Sequence, residues 1–432
     1  MKKILVVVCL VSCCLGYAQQ PGSIRLSQAV CHQLALQNSE DIRKQNNALQ
    51  QAMLDEKIAK ASYMPDIDAS LMDVLVKDSK ISDAMTLQMK GTYMAGISLT
   101  LPIYTGGQLT TGNKLAKVGV EVQKIQQEKT RRDVIYDADK AYFSYLAVRS
   151  KVDMLEAYMQ QMDSLASMIK LSVGVEMATN SDLLRIDAKR SQIEYNLRKA
   201  RNGVELCRMS LCASLGLDLS TQFDVDDADL AISSFNTQHS TFNTQHSLEY
   251  QLLQQNIKAK ELEIRKARAG YLPTLALSAQ YSKYGWAYMK GEQQGYSYKN
   301  EISGDMPMLM ATLSIPLWHW GKEAKRIKKA KLDLQNAQLD LQKNARLLSI
   351  QNQQALLNVQ DSYRLIETAE RGVTQATDNL KNMQLRFDNS MTTLTDLLDA
   401  HSQWQEAESN LIEAKTQYKI YESEYKKLLG EN

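Results

Sequence analysis

Only six prolines punctuate the 432 residues, and four of them form two matched pairs. Tyr63-Met64-Pro65 returns as Tyr271-Leu272-Pro273 after 208 positions, and Pro102 returns as Pro316 after 214. The chain echoes itself elsewhere at the same spacing. Thr179, Asp182, Leu183, Leu184, Glu194, Asn196 and Leu197 recur 214 positions later as Thr393, Asp396, Leu397, Leu398, Glu408, Asn410 and Leu411. A chain that repeats its turns half a length away is built of two similar halves. No proline falls between Pro102 and Pro273, and none follows Pro316. Such runs, rich in Leu, Ala, Gln, Lys and Glu, favour long helices.

The first half is expected over residues 19–214. A helix from Leu26 to Ala61 stops before Pro65, because the residue ahead of a proline is pushed out of the α region. A β-hairpin follows at about 66–103. Ile67, Ala69 and Leu71 alternate with polar residues, a polar loop spans Lys77 to Gly91, and Tyr93, Ala95, Ile97, Leu99 and Leu101 alternate up to Pro102. A long helix occupies about 106–172. Its Ala138, Ala141, Tyr145, Val148, Val152, Leu155, Met159, Met162, Ala166 and Ile169 keep the 3–4 spacing of a coiled-coil seam. A helix of that length reaches about 100 Å, far more than a compact domain contains. The return helix is placed at about 181–214.

Residues 215–247 read as a polar linker carrying the near-tandem FNTQHST–FNTQHS from Phe235. Its His239 and His246 have too few companion ligands for a metal site. The second half, 248–432, repeats the plan. A helix from Leu248 ends at Pro273, a hairpin spans about 274–317 around a loop from Tyr284 to Pro307, and a long helix covers about 321–387. A return helix lies at about 393–429. Apolar rows at Leu334, Leu341, Leu348 and Ala355 resume at Val359, Ile366, Val373, Leu380 and Phe387, and this four-residue slip predicts local unwinding.

The N-terminus reads as an export signal, residues 1–18: Lys2 and Lys3, an apolar run from Ile4 to Leu15, and Gly16-Tyr17-Ala18 for cleavage. A second reading stays open, in which Leu10-Val11-Ser12-Cys13 is a lipobox and Cys13 is lipidated. Without the two signal lysines the 51 basic residues become 49, against 49 acidic ones, so no bulk charge points to nucleic acid. Cys31, Cys207 and Cys212 read as small buried residues, with no disulfide framework, metal or cofactor. No H-E-x-x-H, G-x-S-x-G, C-x-x-C or nucleotide loop occurs, and an enzyme is not expected. Met306, Met308 and Met310 fit barrel packing or loop filling better than soft-metal transport.

The strands have the length and dyad alternation of membrane β-strands, with Tyr93, Tyr104, Tyr281, Trp286, Trp318 and Trp320 as candidate interfacial aromatics. The same alternation also fits half-buried soluble strands. In a membrane, four strands with open edges leave backbone groups unpaired, so other subunits must complete the barrel. A homotrimer would supply about twelve strands. The expected fold is therefore mainly α with membrane β: a trimeric 12-stranded β-barrel continued by an α-helical barrel. A periplasmic or extracellular long-coiled-coil scaffold is the alternative.

The export signal, the duplicated plan, the four proline junctions, Tyr271-Leu272-Pro273-Thr274-Leu275, Leu313-Ser314-Ile315-Pro316-Leu317 and Thr393-Leu394-Thr395-Asp396-Leu397-Leu398-Asp399-Ala400 resemble the TolC-type outer-membrane efflux proteins. The resemblance implies a trimeric duct in the bacterial outer membrane with a long periplasmic helical part. It also implies partnership with a periplasmic adaptor (membrane fusion protein) and an inner-membrane transporter, in efflux or type I secretion. The family's periplasmic gate maps onto Ser181, Asp182, Phe387, Thr392, Asp396 and Asp399, and the adaptor-contacting tips onto Val173, Gly174, Thr179, Asn389 and Thr393. An aromatic hydroxyl is expected where Phe387 stands and an arginine where Thr392 stands, so the family's latch to Asp182 is missing. Thr179-x-x-Asp182 and Thr393-x-x-Asp396 also read as capping boxes. Asp399, opposite Arg185 in the repeat, lies too deep in its helix to cap.

Overall fold

The computed structural model describes residues 24–74, 79–82, 85–87, 92–225, 245, 247–293 and 296–430. The first half contains β1 (Ile24–Leu26), α1 (Gln28–Asn38), α2 (Glu40–Ala61), β2 (Asp66–Val74), β3 (Ser79–Ser82), β4 (Met85–Leu87), β5 (Thr92–Thr105), α3 (Gln108–Gly174) and α4 (Asn180–Ser214). After β6 (Phe223–Val225) come α5 (Leu248–Ala269), β7 (Thr274–Gln293), β8 (Tyr296–Ser314), α6 (Lys322–Asp388) and α7 (Leu394–Leu429). Helices α3 and α6 have 67 residues each. The export signal with Cys13, and His239 and His246 of the linker, lie outside the described residues.

The chain forms two compact units. One holds α1, α4 and α7 with α3 from Val134 onward and α6 from Leu357 onward; the other holds α2, α5, the four-stranded sheet and the earlier parts of α3 and α6.

In the first unit the seam of α3 is the core. Ala138, Tyr145, Val152, Leu155, Met162, Ala166 and Ile169 are buried, as are Tyr142, Phe143, Leu146 and Tyr158 beside them. Each large side chain removed from water contributes about 1.5–3 kcal/mol. Tyr142 and Phe143 meet edge to face at 5.5 Å between ring centroids. Leu26, Cys31 and Ala35 pack on this layer from β1 and α1, where β1 pairs parallel with β6. Asp139, 2% exposed, accepts hydrogen bonds from Gln28 Nε2 at 3.0 Å and from the Ser423 hydroxyl, and pairs with His32 Nε2 at 2.5 Å. The carboxylate thus ties α1, α3 and α7 together.

Two expectations for this unit need correction. The single helix from Leu26 to Ala61 is instead a short strand and two helices that break at Ser39, whose ψ of 126° is extended. The break is packed: Gly216, at φ +64°, lies so close that a Cβ there would sit 2.6 Å from Asn38 Cβ, and Asn38 Nδ2 donates to the Leu215 carbonyl at 3.3 Å. The slip in α6 causes no unwinding. The α-helix runs on without interruption, and Leu348, Ala355, Val359 and Ile366 are all buried.

The second unit carries one antiparallel sheet in the order β2-β5-β7-β8. The register aligns one apolar face across it. Ile67 pairs with Leu99, Leu99 with Ala279 and Ala279 with Leu309; the next row is Ala69, Ile97, Tyr281 and Pro307. The face carries no helical cover: Ile67 is 68% exposed, Leu71 79% and Leu309 73%. Successive strand residues point to opposite faces, so Asp66, Asp68, Ser98, Ser278 and Gln280 line the other side.

The hairpins are longer than expected. Most of Tyr284 to Pro307 is strand, because β7 and β8 stay paired out to Gln293 and Tyr296. The Met306, Met308 and Met310 row is accordingly strand and not loop, and it lies on the face opposite Leu309. The first hairpin's expected loop contains the pair β3–β4. Pro102 does not close its strand either: β5 runs on to Thr105, and the register shifts between Pro102 and Tyr104. A proline cannot donate to the ladder, and a bulge is where a strand tolerates one. Pro65, Pro273 and Pro316 do stand between helix and strand. Among the described residues no helix is long and apolar enough to cross a membrane.

Candidate functional site

The residues expected from the sequence at a gate and at adaptor-contacting tips gather at two turns of the first unit, α3–α4 and α6–α7, and the turns are copies. After α3 the Met177 amide donates to the Ser172 carbonyl at 2.8 Å and the Glu176 amide to Val173 at 3.1 Å; after α6 the same bonds run from Met391 to Arg386 at 2.7 Å and from Ser390 to Phe387 at 2.9 Å. Glu176 and Ser390 adopt φ +59° and +60°. These are Schellman closures with non-glycine residues in the left-handed position.

Each return helix then starts with a capping box. The Asp182 amide donates to Thr179 Oγ1 at 3.2 Å, and the Thr179 amide donates to Asp182 Oδ2 at 3.1 Å. At the second turn the Asp396 amide donates to Thr393 Oγ1 at 3.2 Å and the Thr393 amide to Asp396 Oδ2 at 3.1 Å. Thr392 Oγ1 adds a third donor at 2.9 Å. The threonine standing where the family's arginine is expected is thus bonded directly to the Asp396 carboxylate. The Thr179 hydroxyl and then its amide hold the Asp182 carboxyl below the ordinary range. The Thr393 hydroxyl, its amide and Thr392 do the same for Asp396.

Asp399 differs. It is exposed one turn further along α7 and makes no hydrogen bond or ion pair among the described residues. Its repeat partner Arg185 donates to Thr395 Oγ1 at 2.6 Å, which joins α4 to α7. Ser181, Gly174, Thr179, Asn389 and Thr393 are exposed, and Val173 and Thr392 are half-buried. Asn389 Nδ2 donates to the Leu385 carbonyl at 2.7 Å and caps its own helix. Phe387 packs with Leu380, Met383 and Leu398 against the buried cluster of Ile186, Ile193, Leu394 and Leu397. Beside this packing the turns present Val175 at 66%, Met177 at 81% and Met391 at 76% exposure.

One buried group was not singled out from the sequence. His401 is 5% exposed, stacked on Tyr158 at 5.8 Å, with its Nδ1 unpartnered. Burial, with Lys189 nearby, lowers its pKa to about 4, so it is neutral at neutral pH. Lys189 Nζ donates to Ser402 Oγ at 2.8 Å, and burial pushes the Tyr158 hydroxyl up to about 12. His401 lines the floor of a groove of about 630 Å³ between Gln161, Leu165 and Met168 of α3 and Leu380, Gln384 and Leu385 of α6. The sequence signal was present: Leu394, Leu397, His401 and Trp404 keep the 3–4 spacing of a buried helix face.

No group of three or more His, Cys, Asp or Glu side chains arranged to hold a metal occurs among the described residues. Cys31 and Cys212 are buried and Cys207 half-buried, and burial raises the Cys207 and Cys212 thiols.

The family model described as outer membrane efflux protein matches residues 31–216 and 244–431. The chain is 23% identical over 334 residues to outer membrane protein TolC of Salmonella enteritidis, and 24% over 326 residues to that of Escherichia coli strain K12. These matches cover 74% and 72% of this chain. The chain spans just under two thirds of each relative's length, 65% and 64%. A crystal structure of CusC, a protein described for its transmembrane channel formation, superposes with a TM-score of 0.79 at 13% identity, covering 94% of this chain and 92% of that one. Two matched segments in one chain account for the repeat, and this chain belongs to the outer membrane efflux protein family.

Proposed function

We propose that this protein is the outer-membrane exit duct of a tripartite efflux or type I secretion system, working as a homotrimer with a periplasmic adaptor and an inner-membrane transporter. The observation that carries the reading is the sheet. Four strands present an uncovered apolar face on one side and a mixed face on the other, where Asp66, Asp68, Ser98, Ser278 and Gln280 lie beside Met306, Met308 and Met310. Among the described residues β2 and β8 each have one neighbour in this sheet. In lipid every backbone group needs a partner, so the sheet must close on other copies of itself. Three copies reach the size of an ordinary membrane barrel with a polar lumen. The resemblance to TolC proteins supports the same assembly.

In this reading the α3–α4 and α6–α7 turns form the periplasmic mouth. Asp399 lines the constriction, and Val173, Gly174, Thr179, Asn389 and Thr393 meet the adaptor. Asp182 and Asp396 serve first as caps, because one oxygen of each, Oδ2, already accepts from threonine donors. Three copies of Asp399 near one axis favour cations there. Planar-bilayer recording of the purified protein tests this: defined single-channel steps with block by divalent cations are expected, with the block relieved in Asp399→Ala. Absence of any conductance would remove the channel reading; block unchanged in the variant would remove Asp399 from the gate.

A further inference from the structure

On the reading of this chain as an outer-membrane channel, we propose that the second strand–helix junction, and not the first, is a binding site for anionic phospholipid headgroups of the bilayer leaflet on the helix side of the sheet. Trp318 and Trp320 enter the headgroup layer, and a bed of lysines and arginines holds the phosphates.

The aromatic part rests on exposure and on backbone. Leu317, Trp318 and Trp320 are 89%, 71% and 85% exposed. The two indoles touch each other edge to face at 6.3 Å. They continue the bare apolar end of β8 and the residue after it, where Leu313 and Ile315 are 59% and 56% exposed. Trp320 has φ +52°, and Gly321 after it +72°. In the first half the positions 214 earlier are Gly106 and Gly107, at φ +62° and +84°. Glycine is the residue such a turn favours. The second half holds an exposed tryptophan in the same left-handed conformation, which L side chains rarely adopt. Packing within the protein does not account for it, since the ring is almost wholly in solvent. An aromatic ring with an apolar body and a polar N–H fits the boundary between acyl chains and headgroups.

The cationic part comes from two stretches that border the same end of the sheet. Arg265, Lys266 and Arg268 lie in the last turns of α5, and Lys322, Lys325 and Lys329 in the first turns of α6. Thr274 of β7 pairs with Ser314 of β8 between them, and a Cβ on Gly270 would lie 2.8 Å from Glu323 Oε2. All six cations are exposed, and their side chains form no ion pair or hydrogen bond among the described residues. Glu323, the only acid between Lys322 and Lys331, is buried and paired with Arg326 at 2.8 Å. Lys322, Lys325 and Lys329 are three and four apart, hence on one helix face. The first half has none of this stripe: the matching positions are Gln108, Thr111 and Leu115. In α6 only Lys328 and Lys331 have counterparts, Lys114 and Lys117. In α5 Arg265 and Arg268 match Lys57 and Lys60, of which Lys60 is paired with Glu56 at 2.7 Å, so the difference between the junctions lies in the α6 stripe and the tryptophans.

Unpaired cations beside interfacial tryptophans, continuous with a lipid-facing strand surface, match a phosphate-bearing bilayer better than other anions. A soluble phosphate or an acidic protein would use the charges but leave the indoles in water. Basic residues near an anionic leaflet each strengthen binding roughly fivefold.

The test is native mass spectrometry of the full chain, released from nanodiscs of equimolar phosphatidylglycerol and phosphatidylcholine and run beside single-channel recording. Wild type should retain phosphatidylglycerol over phosphatidylcholine by at least about fivefold. Lys322→Gln/Lys325→Gln/Lys329→Gln should lose that preference while still conducting. The control Lys114→Gln/Lys117→Gln should keep it. Trp320→Gly relieves the backbone and should lower total lipid retention without lowering thermal stability. Equal retention of the two lipids by a conducting wild type would overturn the inference and spare the channel. So would an unchanged preference in the triple variant, or full displacement by free inorganic phosphate. A protein that neither inserts nor conducts would remove both.

Discussion

At the scale of single residues, the acids at the turns divide by their hydrogen bonds. Asp182 and Asp396 close capping boxes, and a threonine cap is worth about 1 kcal/mol. Thr179→Ala and Thr393→Ala are each expected to lower stability by about that amount in thermal melts, with channel conductance retained. Both carboxyls are held below their ordinary range, so what they contribute is present at neutral pH and disappears as pH falls through the lowered values. Asp399 has no such structural duty, and its replacement should leave the melt unchanged while altering ion flow.

His401 gives a pH dependence of the same sign from a buried base, over a higher pH window. Its folded pKa of about 4 lies below the ordinary 6.5. Above pH 6.5 neither state binds the proton and nothing is lost. Between 6.5 and 4 only the unfolded chain is protonated, so stability falls with pH, by roughly 3 kcal/mol in total. A pH series of thermal melts should show this slope in wild type and lose it in His401→Gln. A wild-type slope identical to the variant's would mean the ring is solvated.

At the scale of elements, much was legible because each long element has one strong period. The seam of α3, the alternation of β5 and the capping boxes were each readable from spacing alone. The failures were local and share a cause: they depend on neighbours distant in sequence. Ser39 breaks α1 from α2 because Gly216 and Leu215, far along the chain, pack on Asn38. The outer parts of β7 and β8 carry tyrosine, glycine and charge with no clean alternation, yet pair because each lies opposite the other. Pro102 reads as terminal in the sequence, but a bulge beside it carries the strand on to Thr105. Gly216→Ala would force a Cβ to within 2.6 Å of Asn38 Cβ and strain a left-handed turn. It is expected to destabilise by roughly 1–3 kcal/mol in chemical denaturation, with the secondary structure content unchanged. The chemistry of the two turns was less legible than the fold. Spacing located the turns but did not show that Thr392 would occupy the Asp396 carboxylate, nor that Phe387 would pack inward.

At the scale of the whole molecule, the two halves carry the same plan but not the same surface. The tips repeat bond for bond, from Met177 and Met391 to the two capping boxes. The strand–helix junctions do not, since only the second carries tryptophans and an unpaired cationic stripe. A duplicated chain that assembles with copies of itself would present six matching turns at its mouth and three distinctive junctions at the membrane. The central claim is closure: a four-stranded sheet with two open edges is one part of a barrel. Native mass spectrometry of the protein extracted from outer membranes in mild detergent tests it directly. A particle of three chains that collapses to one only on heating is expected. A single chain that leaves the membrane fraction without detergent would contradict it.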